Sequence, residues 1–217
     1  MILTPSLPFG NLDTPCLLWA GGRAKTQATV LNLHPAFLLP CHADLGPGTN
    51  TLPAPSPDKT LSALTLALGN LSYLCTSGSP DSVPVYLSQQ TTLFDVAPLI
   101  QFIPSEDALH SLVPQLYTYN YAALANSSLD CIGNIYTDGN KTTVDLTGYQ
   151  PFILYVNDTI AAPNPQADSC WTQSLSEASD WEGYRVETVG GAVPTSCAGL
   201  SERFKVGYAA EYWFYHG

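Results

Sequence analysis

The chain has 217 residues, of which 45% are hydrophobic and only 12% charged, and 18 acidic against seven basic side chains give it a formal net charge of −11. A chain of this length suits one domain, which buries roughly 70% of the surface its unfolded form exposes. Seven cations cannot make the clustered basic surface that tracks phosphates, so nucleic acid is excluded as a partner. No stretch approaches the ~18 apolar residues of a membrane-spanning helix.

The N-terminus, Met1-Ile2-Leu3-Thr4-Pro5, has neither a basic region nor a continuous apolar run. No signal peptide is therefore visible, and Met1 is read as replacing a removed leader. Residues 1–57 are expected to form an arm packed on a β-domain spanning 58–217, the whole being one folding unit. Its connector, Thr49 to Pro57, is stiffened by Pro53, Pro55 and Pro57. Within the arm, Cys41-His42-Ala43-Asp44 sets an imidazole and a carboxylate two apart, with His34 upstream. No third or fourth ligand can be named there, so no metal site is expected.

Over the whole sequence, 18 prolines and 16 glycines cut the chain into short pieces that suit strands and turns. Strands are predicted over 65–68, 72–75, 84–88, 91–96, 132–137, 142–146, 152–156, 184–189 and 211–215, where β-branched and aromatic residues gather. Asp138-Gly139-Asn140 marks a hairpin turn. One short helix should start at the cap Ser105, carry Ala108, Leu109, Leu112 and Val113 on one face, and end at Pro114. The expected fold is a single all-β domain, a sandwich or flattened barrel.

Cys16, Cys41, Cys75, Cys131, Cys170 and Cys197 lie far apart, without the C-x-x-C spacing of zinc ribbons and redox motifs, and are read as disulfides. Six cysteines allow 15 connectivities; Cys170 with Cys197 is favoured. Glycosylation sequons begin at Asn70, Asn126, Asn140 and Asn157, in keeping with an oxidising secretory route and a protein that is secreted or held in a secretory lumen.

No Gly-rich phosphate loop, nucleophile elbow or His-Glu zinc helix is present, and no cofactor is expected. What remains is aromatic. Tyr117, Tyr119 and Tyr121 alternate as on a strand face, and Tyr208, Tyr212, Trp213, Phe214 and Tyr215 cluster at the end. Most such rings pack cores, but aromatics among few charges also line small-molecule pockets. Arg185, one of three arginines, sits in an apolar strand and would need a carboxylate, such as Glu187, Glu211 or Asp95, or a ligand oxyanion. His110 and His216 have no obvious partner.

The segment Tyr184 to Gly191, followed by Pro194, Cys197 and Phe204 to Tyr215, together with Leu52-Pro53-Ala54-Pro55, Leu64 to Leu68, Asn70 to Cys75 and Thr92-Leu93-Phe94-Asp95, resembles a family of secreted fungal proteins whose domain has no assigned function. Members are often labelled malate dehydrogenases, a label that the missing dinucleotide loop contradicts. Some proteins similar to this family look like the hetero-Diels–Alderases of tropolone-sesquiterpene pathways. The resemblance implies a cofactor-independent enzyme of secondary metabolism that couples apolar, terpenoid and quinone-methide-like substrates by a pericyclic reaction. Such a step needs orientation and a few hydrogen bonds rather than a nucleophile. Arg185, Tyr119 and Tyr136 are the candidate catalytic donors; Tyr117, Phe102, Trp213 and Trp19 are the candidate substrate-binding rings. A secreted binding protein for a small apolar or carbohydrate ligand, and a structural surface glycoprotein, stay open beside it. The family's Cys after the Phe94-Asp95 strand and its His-rich strand are missing at Ala97 to Ile100 and Gly133 to Tyr136.

Overall fold

The computed structural model describes residues 51–75, 81–119, 129–138 and 141–217. Trp19, Tyr121, His34, His42, Asp44, Cys16, Cys41, Asn126 and Asn140, all singled out from the sequence, lie outside these residues. Eight strands run in chain order around one closed antiparallel barrel. They are β1 (Thr60–Leu74), β2 (Val85–Asp95), β3 (Cys131–Asp138), β4 (Lys141–Leu146), β5 (Phe152–Ile160), β6 (Trp171–Ser176), β7 (Trp181–Gly190) and β8 (Arg203–His216). Pairing of β8 with β1, from Thr60 opposite His216 to Leu74 opposite Arg203, closes the ring. Closure gives every strand a neighbour on both sides. Of the two all-β architectures expected from sequence, the molecule is the barrel.

Two pairs of predicted strands are each one long strand. The apparent break at Gly69-Asn70 lies within β1, where glycine is a packing requirement. A Cβ at Gly69 would come within 2.3 Å of Thr91 Oγ1 and 2.9 Å of the Tyr208 ring. The polar pair Gln89-Gln90, read as a gap, continues β2, because the Gln89 side chain is bonded inside the barrel. Strand β6 was not anticipated: Trp171-Thr172-Gln173-Ser174-Leu175-Ser176 lacks the β-branched density of its neighbours. The hairpin expected at Asp138 is present, with Asp138 opposite Lys141.

In each strand alternate residues face inward. Ala67, Leu93, Ile135, Val144, Leu146, Phe152, Leu154, Trp181, Ala210 and Phe214 belong to the inner core. Leu66, Leu68, Phe94 and Ala209 face outward, where a second apolar cluster covers them with Leu109, Val113 and Leu116. These come from the β2–β3 connection, whose described residues hold three short helices: α1 (Ala97–Ile100), α2 (Glu106–His110) and α3 (Leu112–Thr118). Double coverage explains why β1 and β8 read as continuous apolar runs rather than alternating ones. Ser105 caps α2, its side chain accepting from the Ala108 amide at 3.2 Å, as expected. Pro114 does not end the helix. It falls in the first turn of α3, where no intrahelical N–H bond is lost.

Cys75 is bonded to Cys197, across 122 residues, and not Cys170 to Cys197. This bridge ties the loop after β7 to the end of β1, beside backbone bonds from Cys75 N–H to Glu202 and from Cys197 N–H to Ser82, both 2.8 Å. Cys131 and Cys170 are disulfide-bonded as well. No helix among the described residues is long and apolar enough to cross a membrane.

Candidate functional site

The β7–β8 wall carries the chemistry on both faces. Pairing of Arg185 with Tyr212, and of Gly183 with Phe214, puts these residues on the inside. The intervening Glu182, Tyr184, Val186, Glu211, Trp213 and Tyr215 face outward.

The inside divides into two halves. Toward the end where β1 begins it is packed with rings: Phe152 stacks on Trp181 at 4.0 Å, and Phe214 meets Phe152 edge-on. Toward the other end it is polar. Gln89 Nε2 lies 2.7 Å from Tyr208 Oη, 2.9 Å from Tyr212 Oη and 3.0 Å from Thr91 Oγ1. The two phenols are 2.8 Å apart, and Thr91 Oγ1 is 2.6 Å from Tyr208 Oη. Arg185 extends over the Tyr208 ring, Cζ 5.8 Å from its centroid, and donates from Nε and Nη2 to the Cys170 carbonyl at 3.3 and 3.0 Å. Tyr73 and Tyr86, edge-to-face at 5.8 Å, lie farther toward this end.

Arg185 makes no ion pair among the described residues. The three carboxylates that sequence offered it are elsewhere: Glu211 is bonded to His110, Asp95 accepts from the Ala97 amide, and Glu187 sits on the outer side. Burial works against its charge, but the oxygens of Tyr212 and Tyr208 more than offset this, so the guanidinium stays cationic. Burial also raises the phenol of Tyr73 to about 12 and that of Tyr208 well beyond its ordinary value. These groups are neutral hydroxyls at physiological pH, able to donate hydrogen bonds.

On the outer face is an open cleft of about 270 Å³. Trp171, Tyr184, Trp213 and Tyr215 supply its walls, Glu106 and His110 come from α2, and Glu187 and Val186 from β7. Pro55 closes one side, because the preceding chain docks through Ser56 onto the buried Glu182, which also accepts from Tyr184 Oη at 3.2 Å. Glu211, fully buried, accepts from Trp213 Nε1 at 2.9 Å and faces His110 Nδ1 at 2.9 Å. Burial pulls the imidazolium's pKa down, but the bond and charge of Glu211, with Glu187 and Glu106 beyond, leave it above its ordinary value. The Glu187 carboxyl is raised by burial. No group of three or more metal-ligating side chains is assembled among the described residues.

Of the residues proposed from sequence, the structure places Arg185 inside the barrel and Trp213 in the outer cleft, on opposite faces of one wall. Tyr117 and Tyr119 do not alternate on a strand: the first is in α3 against Gly190, the second caps that helix and is 52% exposed. Phe102 is 75% exposed after α1, and Tyr136 faces out from β3. His110 has a partner in Glu211, and His216 packs on Trp181 at 4.4 Å. Asn157 is exposed and bonded to Gln173, whereas Asn70 is buried between paired strands, a place with no room for a glycan. Sequence reading missed Gln89 and Thr91, and did not connect Tyr208 with Tyr212; their i, i+4 spacing on a strand was the available signal.

The fold is thus an eight-stranded closed barrel with a guanidinium and several phenols gathered in one half of its interior. The family model for a protein of unknown function, DUF3455, matches residues 55–216, and the chain belongs to that family. Comparison with curated proteins and with solved structures gives no match.

Proposed function

We propose that the protein is a cofactor-independent enzyme that couples an apolar polyene with a quinone-methide-like partner by a hetero-Diels–Alder reaction, in the polar half of the barrel interior. One observation carries the reading: Arg185, inside the barrel and without an ion pair among the described residues, converges with the hydroxyls of Tyr208 and Tyr212. A cation held without an anion stabilises oxygen that gains negative charge. In this cycloaddition one C–C and one C–O bond form together and nothing leaves, so no proton need move. The protein's part is to hold the two partners in contact and to polarise the heterodiene carbonyl. Arg185 and the two phenols supply the donors, and the apolar half supplies a wall for the polyene. The disulfides accord with work in a secretory lumen or outside the cell.

The test is to incubate the full chain with an ortho-quinone methide and a sesquiterpene polyene, and to compare rate and enantiomeric excess with the background. A faster, enantioselective reaction is expected. Background rate with racemic product would overturn the reading.

A further inference from the structure

We propose that the outer cleft is a second site, for a small organic cation of the quaternary-ammonium type. This does not rest on the reading of the barrel interior. A volume of about 270 Å³ falls just below the usual range for small-molecule pockets, which points to a compact ligand rather than a polymer. Its walls are the rings of Trp171, Tyr184, Trp213 and Tyr215, whose faces attract cations.

Charge points the same way. Glu211 is matched by His110, leaving Glu106 and Glu187 in excess. Glu106 is 3.8 Å from His110 Nε2, on its solvent side. Glu187 has no hydrogen bond or ion pair among the described residues, although it faces the cleft and is partly buried. Its backbone is held at φ 50°, a left-handed conformation uncommon outside glycine, in the bulge between Val186 and Val189. The fold thus sets an unmatched carboxylate against an aromatic wall at some cost in strain, an arrangement that a bound cation would compensate. The indole N–H of Trp171, another wall residue, is buried without a partner among the described residues. The net charge of −11 favours approach of a cation over an anion.

Titration calorimetry of the full chain with choline, and with its neutral carbon isostere 3,3-dimethylbutan-1-ol, tests this. Choline should bind saturably and at least roughly tenfold more tightly than the isostere. Glu187→Gln should weaken choline about fivefold or more without changing the isostere. Should that variant not fold, Glu106→Gln, in the exposed first turn of α2, takes its place with the same expectation. Equal affinity for the two probes, no saturable binding by folded protein up to about 50 mM, or wild-type affinity in the folded variant would each overturn the proposal.

Discussion

His110 and Glu211 meet at 2.9 Å across 101 positions of sequence, the imidazole on α2 and the carboxylate fully buried on the outer face of β8. This contact fastens the helical connection to the barrel wall, and among the described residues Trp213 is the one other hydrogen-bond donor to Glu211. Replacing His110 by Ala strands a buried carboxylate. The expected loss is about 1–3 kcal/mol in urea unfolding, below the cost of breaking a fully buried pair because the imidazole is partly exposed.

The same pair sets a pH dependence. Because the folded-state pKa of His110 is raised, its contribution to stability is fully present below the ordinary value of 6.5 and lost as pH rises through the folded value. Glu187 acts in the same direction at lower pH: its carboxyl, also raised, binds its proton more tightly in the folded protein, so stability falls as pH rises from 4.5 through its folded value. Unfolding free energy measured from pH 5 to 9 should decline, and His110→Gln should flatten the part above 6.5. An unchanged slope in that variant would remove the pair as its cause.

The bridge between Cys75 and Cys197 closes a loop spanning 122 residues at the polar end of the barrel. Replacing both by Ala should cost about 2–5 kcal/mol, chiefly by freeing the unfolded chain. Unfolding of the double variant beside the parent, both under non-reducing conditions, measures this. A double variant as stable as the parent under non-reducing conditions would contradict it.

Gly69→Ala tests the packing of the barrel's centre. The new methyl would meet backbone as well as side chain, with Gln90 O 2.8 Å away, so neighbouring strands must shift. A loss of about 1–3 kcal/mol is expected by thermal unfolding, although Ala is ordinarily the better residue within a strand.

That glycine also shows where the sequence was legible and where it was not. Turn residues and β-branched runs placed most strands, and the Ser105 cap placed α2, because these are local preferences. Gly69 and Gln89 misled because their reasons are distant: Gly69 makes room for Tyr208, and Gln89 bonds two tyrosines on β8. The site shows the same limit. Arg185 stood out as a cation among apolar neighbours, but only the register of β7 with β8 shows that it faces Tyr212 and not Glu211. Tyr119 and Tyr136 are candidate donors by sequence, and chain order cannot reveal that both are exposed.

Arg185 and the two phenols offer the sharpest test of function. Arg185→Met, and separately Tyr212→Phe, should each remove about 1–3 kcal/mol of transition-state stabilisation, a rate loss of about 5- to 150-fold. Both should also lower enantiomeric excess, since the donors fix the orientation of the carbonyl as well as its polarity. Turnover should persist at a reduced level, because no covalent intermediate is lost. Tyr119→Phe and Tyr136→Phe, exposed and away from the barrel interior, should leave rate and stereochemistry unchanged. Melting curves separate loss of the site from loss of the fold. If folded Arg185→Met and Tyr212→Phe proteins retained full rate and selectivity, the interior cluster would be structural and the reaction would lie elsewhere on the molecule.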